Sequence, residues 1–124
     1  MSKPTEAELE VLQVLWEKGA CTVKQVHEAL AKNKEVGYTT TLKIMQNMYD
    51  KKLLSREPAG RSHIYTAMVS EEATQQKLLD RFLKSAFGGS AMKLVMQALG
   101  NHQPSKEEIE SIKALLEQKE KEKK

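Results

Sequence analysis

Apolar residues recur at spacings of three and four near the start of the chain, which is the period of an amphipathic helix. Thr5 and Glu8 form a T-x-x-E capping box, and Gly19 stands where a helix would end. The apolar stripe between them consists of Leu9, Leu12, Leu15 and Trp16. We interpret Trp16 as a core residue because it continues this stripe, with a binding aromatic as the alternative.

A second helix is predicted to follow almost at once. Thr22 and Gln25 form another capping box, and we expect the helix to fray near Asn33. Its apolar face is formed by Val23, Val26 and Leu30. Cys21 falls in the short turn between the two helices, where a plain small residue is favoured over a redox role.

The third helix, predicted over about residues 39–52, has two contrasting faces. Steps of about 100° per residue place one set within an arc of about 120°: Thr41, Leu42, Met45, Met48 and Tyr49. The opposite side carries Thr39, Thr40, Lys43, Gln46, Asn47 and Asp50. Hydroxyls and amides are short donors and acceptors that reach phosphates and base edges, whereas an ordinary solvent face is rich in Glu and Lys. This face favours nucleic-acid recognition, with an ordinary polar helix as the alternative.

A β-hairpin is predicted after this helix. Residues 55–57 and 61–67 have the composition of strands, and Pro58-Ala59-Gly60 is a turn signal. A two-stranded hairpin is barely stable alone, so we expect it to pack against the helices. Three helices and a hairpin follow one another in this order in a winged helix-turn-helix domain. Arg61 at the tip is either a phosphate or minor-groove contact, or a solvated turn charge.

Three more helices are predicted from the second half of the chain. The segments are helices over residues 71–87 and 91–99, a loop over 100–104, a helix capped by Ser105 and Glu108, and a frayed tail over 119–124. These helices, about fifty residues in all, cannot comfortably close a core of their own. Either they pack back onto the first domain, or they bury their stripes against a second copy.

The break at Gly88-Gly89-Ser90 and the strongly apolar middle helix favour a second copy, in a homodimer with two-fold symmetry. The side chains expected at its interface are Leu79, Phe82, Leu83, Met92, Leu94, Val95, Ile109, Ile112 and Leu116. We interpret Met92 and Met96 as adaptable interface filling, with a sensing pocket as the alternative. The expected organisation is a winged-helix DNA-binding domain over residues 1–69 and a helical dimerisation domain over residues 70–124.

Composition narrows the classes of function. The 124 residues carry 20 Lys and Arg against 17 Asp and Glu, a formal charge of +3 that permits a nucleic-acid partner without requiring one. One cysteine allows no internal disulfide, and the three histidines have no metal-ligand spacing. We therefore expect no metal, no cofactor and no catalytic site. No apolar run is long enough to span a membrane, so a cytoplasmic protein without a membrane partner is expected.

Five segments of the chain carry a family resemblance. They are TEAELEVLQVLW, YTTTLKIMQNM, GRSHIYTA, FGGSAMKLVMQAL and SKEEIESIKALL. In this order and spacing they resemble the penicillinase-repressor family of bacterial winged-helix transcriptional regulators, the BlaI, MecI and CopY type. The resemblance covers nearly the whole chain, from about Thr5 to Leu116.

The resemblance implies a dimeric repressor that occupies a double-stranded DNA operator and blocks transcription. By position it places Thr39, Thr40, Lys43, Gln46 and Asn47 in the major groove and Arg61 in the wing. In beta-lactam-responsive members a protease cleaves an Asn-Phe bond in the short dimerisation helix, and the nearest pair here is Gln97-Ala98. The resemblance thus implies an inactivating protease as a partner, although Gln97-Ala98 differs from the Asn-Phe bond that the family's protease cleaves. The copper-responsive branch has a C-terminal cysteine cluster, which this tail lacks.

Two hypotheses from different classes follow. The first is a sequence-specific repressor that binds a palindromic operator as a homodimer, because two joined recognition helices bind far more tightly than one. The second is a helical protein-protein adaptor without nucleic-acid binding, which the small net charge supports. Competition by an operator sequence separates them, because an adaptor gains nothing from a palindrome.

Overall fold

The computed structural model describes residues 3–123 and has the element order of a winged helix followed by three helices. The elements are α1 (Glu6–Lys18), β1 (Cys21–Thr22), α2 (Val23–Ala31), α3 (Tyr38–Asp50), β2 (Leu54–Ala59), β3 (Ser62–Ala67), α4 (Glu71–Phe87), α5 (Ala91–Asn101) and α6 (Lys106–Glu122). Helices dominate and the strands are short. The predicted fold class, mostly α with a small β component, is confirmed.

Helices α1, α2 and α6 begin at the predicted capping boxes. Thr5 Oγ1 accepts a hydrogen bond from the Glu8 amide at 3.1 Å, and Thr22 Oγ1 accepts one from the Gln25 amide at 3.2 Å. The same exchange begins α6. Each box satisfies amide donors that the first turn of a helix would otherwise leave unpaired. These starts are therefore set by residues within one turn of each other.

A third strand, β1, pairs with the hairpin. In the described part of the chain the sheet is antiparallel with the order β1-β3-β2, and Cys21 pairs with Tyr65 while Thr22 pairs with Ile64. The prediction that Cys21 lies in a turn is wrong, because it is a buried strand residue. Two residues are too few to show the alternation that marks a strand, and their partners lie far along the chain.

The hairpin turn is tighter than predicted. Because β2 pairs with β3 as far as Ala59 and Ser62, Pro58 and Ala59 belong to the strand and not to the turn. Pro58 is tolerated there because β2 is an edge strand, where a missing N–H leaves no ladder bond unmade. Gly60, with φ of 63°, and Arg61 form the two-residue loop.

The winged unit, from α1 to β3, has its core between α1, α2, α3 and the sheet. It consists of Val11, Leu12, Leu15, Cys21, Val23, Val26, Met45, Met48, Leu53, Leu54 and Tyr65. Burying each large apolar side chain contributes about 1.5–3 kcal/mol. Trp16 packs against this core and is partly buried, which confirms its interpretation as a core residue.

The C-terminal end of α3 is a Schellman motif. The Leu53 amide donates to the Met48 carbonyl at 2.9 Å, and the Lys52 amide donates to the Tyr49 carbonyl at 3.0 Å. Lys52 has φ of 68°, the one positive value at a non-glycine residue within residues 3–123. A side chain in this left-handed position costs about 1 kcal/mol relative to glycine. The helix therefore ends at Asp50, and Lys52 belongs to its cap.

The chain divides into two compact units between Lys77 and Leu78, within α4. The domain boundary expected from the sequence lies before residue 70, at the start of that helix. Thr74, in the first turn of α4, is buried. The division by function at residue 70 stays a prediction.

Two helices of the second unit are longer than predicted. α5 continues to Asn101, so Gly100 and Asn101 belong to the helix rather than to the loop. α6 continues to Glu122, so the predicted fraying over residues 119–122 is wrong. The alternating charges bring Lys119 within 3.8 Å of Glu122, a spacing that supports a helix. Lys124, the end of the expected tail, lies outside the described residues.

Candidate nucleic-acid interface

One side of α3 is open to solvent along its whole length. This polar face consists of Thr39, Thr40, Lys43, Gln46 and Asn47, and all five side chains are exposed. On the other side, Thr41, Met45 and Met48 are fully buried at 0% exposure. Because a helix turns about 100° per residue, anchoring those three positions directs the polar face outward. The polar side is exposed as predicted, and the apolar side is buried as predicted except at Tyr49 and, in part, Leu42. The binding role of the polar face stays a prediction.

Tyr49 does not lie on the buried side as predicted. It is 37% exposed, and the guanidinium of Arg56 lies over its ring, 3.9 Å from the ring centroid. A cation over an aromatic face is attracted by the ring's charge distribution. The contact therefore links α3 to β2 through an exposed aromatic residue. Tyr49 lies near the edge of the apolar arc, so its angular position is compatible with either a buried or an exposed side chain.

The first turn of α3 is tied to α2 by His27. Its Nδ1 lies 3.3 Å from Thr41 Oγ1, and its ring packs edge-on against Tyr38 with 5.6 Å between centroids. The Thr41 hydroxyl also lies 3.4 Å from the carbonyl oxygen of Gly37, to which it can donate. These contacts fix the first turn of α3, from which the polar face begins. Helical periodicity could not identify His27, because its partners are on another helix.

The last turn of α3 is tied to α1 by an ion pair. Lys51 Nζ lies 2.8 Å from Glu8 Oε2, while Glu8 Oε1 accepts a hydrogen bond from the Thr5 amide at 3.0 Å. Glu8 is buried, at 5% exposure. Burial by itself raises the pKa of Glu8, but the hydrogen bonds from Lys51 and Thr5, with the attraction of the lysine charge, outweigh it and hold the pKa below its usual value. The sequence predicts the Thr5–Glu8 box but not the tertiary partner.

Arg61 is exposed at the tip of the hairpin. β2 begins at Leu54, shortly after α3, and its six residues rise about 3.3 Å each. Arg61 therefore lies about 20 Å along the hairpin from its first residue, Leu54. At that distance Arg61 could contact a different part of a duplex from the part that faces α3. Its role stays a prediction.

The second unit has apolar side chains without a core. Of the described residues 78–123, none is buried. Every side chain expected at a dimer interface is exposed or half-buried, including Met92 at 67% and Phe82 at 53% exposure. Apolar surface of this extent is characteristic of an interaction site rather than of an isolated monomer. The interface itself stays a prediction.

The candidate groups for metal binding and for nucleophilic chemistry are the His, Cys, Asp and Glu side chains. Within residues 3–123, no group of three or more His, Cys, Asp and Glu side chains could hold a metal ion. Burial raises the pKa of the Cys21 thiol more than the nearby Lys18 charge lowers it, so the thiol is a poor nucleophile at neutral pH.

No helix in the described part of the chain combines the length and apolarity needed to cross a membrane.

Two solved structures share the fold. The solution structure of the DNA-binding domain of the repressor BlaI has a TM-score of 0.52 and 26% identity, covering 56% of this chain and 88% of that one. The regulator BpsR of Bordetella bronchiseptica has a TM-score of 0.54 and 22% identity, covering 95% of this chain and 80% of that one. The first match is to a DNA-binding domain and covers a little over half of this chain, and the second shows the fold alone.

Sequence comparison extends over most of the chain. The penicillinase repressor of Bacillus licheniformis is 28% identical over 114 residues, 92% of this chain and 89% of that protein. The penicillinase repressor of Staphylococcus aureus is 24% identical over 110 residues, 89% and 87% of the two chains. The methicillin resistance regulatory protein MecI of Staphylococcus aureus strain N315 is 23% identical over 115 residues, 93% and 94% of the two chains. The family model described as penicillinase repressor matches residues 4–118, from the first capping box through most of α6, and the chain belongs to that family.

Proposed function

We propose that this chain is a sequence-specific DNA-binding transcriptional repressor that acts as a homodimer on a palindromic operator. The observation that carries the proposal is the polar face of α3, five exposed side chains on a helix whose other side is buried in the core. Family membership supports it, since the named relatives are repressors and the repressor BlaI has a DNA-binding domain of this fold.

The side chains of the polar face suit different parts of a duplex. Lys43 carries the one charge among them and pairs with a phosphate. Gln46 and Asn47 carry amides, which present a donor and an acceptor that match the major-groove edge of adenine. The hydroxyls of Thr39 and Thr40 contact backbone or base edges near the start of the helix. On this one helix face, some side chains therefore position the protein on the DNA backbone and others read the base sequence.

The second unit supplies the dimer in this proposal. Its apolar side chains are exposed in a single chain, and a symmetric partner that presents the same patch would bury them. Linking two winged units makes the second engagement with DNA intramolecular, which raises affinity by about 10²–10⁴. The two half-sites are expected one helical turn, or a multiple of it, apart.

Release from the operator then requires loss of the dimer. Gln97 and Ala98 lie in α5, and both are exposed in the single chain. A protease that cuts α5 there would separate the two winged units, and each would keep only its weak single-site affinity.

Selection from random DNA tests this function. The purified full chain is incubated with a pool of random-sequence duplexes, bound DNA is amplified over several rounds, and the enriched duplexes are sequenced. We expect an inverted repeat, bound by two chains per duplex in sedimentation. Enrichment of no sequence would contradict the proposal and favour a protein-protein adaptor.

A further inference from the structure

We propose that Glu8 and Thr41 are positioning residues for DNA recognition, each holding one end of α3 so that the helix keeps a fixed rotation about its own axis. Neither residue belongs to the polar face, and neither has an exposed side chain. The inference rests on the proposed function, since it concerns the face that α3 presents to a duplex.

Apolar packing alone fixes this rotation only loosely. The buried side of α3 contributes Met45 and Met48 to the core. Methionine side chains are flexible, and hydrophobic burial has no directional preference. Side-chain ends lie about 5–6 Å from a helix axis, so a rotation of about 10° moves them by about 1 Å. A shift of that size carries an amide out of hydrogen-bond range of a base edge.

The pair at the C-terminal end of α3 is directional. Glu8 uses both carboxylate oxygens, one for the Thr5 amide and one for Lys51 Nζ. The bond from the Thr5 amide fixes the orientation of the carboxylate, and the other oxygen then faces Lys51 at the end of α3. Hydrogen bonds between charged groups are about twice as strong as neutral ones. Glu8 is buried, so its end of this bond is shielded from solvent, while the Lys51 side chain is 35% exposed.

The contact at the N-terminal end of α3 comes from a different helix. The Thr41 hydroxyl is fully buried and lies 3.3 Å from His27 Nδ1 on α2. Its second neighbour, the Gly37 carbonyl oxygen at 3.4 Å, belongs to the N-cap of α3 itself. Two anchors at opposite ends, one on α1 and one on α2, resist rotation of α3 in both directions.

The chain provides matched controls. Glu10 lies on α1 and pairs with Lys34 at 2.6 Å, but this pair is exposed and does not touch α3. Glu10→Gln therefore makes the same change of charge as Glu8→Gln without breaking an anchor. Thr66 is exposed on β3, so Thr66→Val makes the same chemical change as Thr41→Val away from α3.

The first measurement uses the free protein. Residual dipolar couplings of the α3 amides vary with the helical period, because the N–H vectors are tilted from the helix axis. The phase of that variation, fitted together with the couplings of α1 and α2, reports the rotation of α3 about its own axis in each variant. We expect α3 to rotate about its axis in Glu8→Gln and in Thr41→Val and to keep its rotation in both controls. Unchanged orientation in both anchor variants would overturn the proposal. Should a buried substitution prevent folding, Lys51→Gln or His27→Phe breaks the same anchor from its more exposed side.

The second measurement uses DNA. The affinity of each folded variant is measured for the duplex that the unchanged protein enriches and for a shuffled duplex of the same composition. We expect the ratio of the two affinities to fall about tenfold in each anchor variant, equivalent to one misplaced base contact. Lys51→Arg, which keeps the ion pair, is expected to keep the ratio.

The outcomes separate this proposal from the proposed function. A ratio that is unchanged, or an equal loss for both duplexes, would show that Glu8 and Thr41 act only on folding, and would overturn the proposal. Failure of the unchanged protein to enrich any duplex would contradict the proposed function, and the dipolar couplings would still decide whether the two residues orient α3.

Discussion

The indole N–H of Trp16 donates a 3.0 Å hydrogen bond to the backbone carbonyl of Val69, which lies 53 residues along the chain. Trp16 is on α1, and Val69 lies between β3 and α4. Both are half-buried against the core. The bond therefore closes the winged unit by joining its first helix to the segment that leaves the wing.

Trp16→Phe tests this bond. The smaller ring keeps part of the packing, but the Val69 carbonyl loses its donor, so we expect the free energy of unfolding to fall by about 1–2 kcal/mol. Urea unfolding followed by far-ultraviolet circular dichroism measures it without relying on tryptophan fluorescence. Tyr38→Phe, at a position 48% exposed, is the control and should change stability little. Equal stability of Trp16→Phe and the unchanged protein would contradict this role.

Lys52→Gly is expected to stabilise the winged unit. Glycine adopts the left-handed backbone of Lys52 without steric penalty, so the free energy of unfolding should rise by about 1 kcal/mol. Lys32 caps α2 with an ordinary φ of −65°, so Lys32→Gly should lower stability instead. Thermal and urea unfolding of both variants measure the contrast. A loss of stability in Lys52→Gly would show that contacts of the Lys52 side chain contribute more to stability than the strain of its left-handed backbone costs.

The pKa of Glu8 predicts a pH dependence. Because this pKa is lower in the folded protein than its ordinary value of 4.5, the ionised carboxylate stabilises the fold above about pH 4.5. That contribution is lost as the pH falls through the lower folded value. At pH 7 we expect Glu8→Gln to lower the free energy of unfolding by about 1–3 kcal/mol, and the difference to shrink below pH 4.5.

Urea unfolding at pH 7, 4 and 3 measures this convergence. Glu10→Gln breaks an exposed ion pair and should change stability at pH 7 by less than about 1 kcal/mol. A stability difference between the unchanged protein and Glu8→Gln that stays constant over this pH range would contradict the assignment.

Substitution in α5 tests the dimer. Leu94→Asp and Val95→Asp each place a charge in the apolar surface proposed to meet a second copy, so we expect monomers with at least about a hundredfold lower affinity for the enriched duplex. Sedimentation measures the mass, and fluorescence anisotropy measures the affinity. Gln103→Asp adds the same charge at an exposed site after α5 and should leave the dimer intact. Variants that remain dimers with unchanged affinity would contradict this interface.

Local signals predicted much of the fold correctly. The boxes at Thr5 and Thr22 set the starts of α1 and α2 because capping bonds join residues three apart. The faces of α3 followed from helical periodicity, since Met45 and Met48 are buried and Lys43 is exposed. Capping boxes and helical periodicity both depend on residues that are close together in the sequence, within a few turns of one helix.

The features that the sequence analysis missed are tertiary. Cys21 pairs with Tyr65, Glu8 pairs with Lys51, and His27 contacts Thr41. The T-x-x-E spacing predicts the capping box that Glu8 forms, but one carboxylate oxygen is left for a partner elsewhere in the fold, Lys51. A single chain carries no local signal for such pairs, because any exposed lysine could have been the partner. The binding face was therefore predictable, and the contacts that hold it in place were not.

The most direct test of the account compares Lys43→Gln with Gln46→Ala on the enriched and shuffled duplexes over a range of salt concentrations. Lys43→Gln should weaken binding to both duplexes and reduce the slope of log affinity against log salt by about 0.9, the loss of one phosphate contact. Gln46→Ala should lower affinity for the enriched duplex alone, by about 1–3 kcal/mol. Lys32→Gln removes an exposed charge at the end of α2 and serves as the control. If Lys43→Gln and Gln46→Ala both bind like the control, the polar face of α3 does not meet DNA.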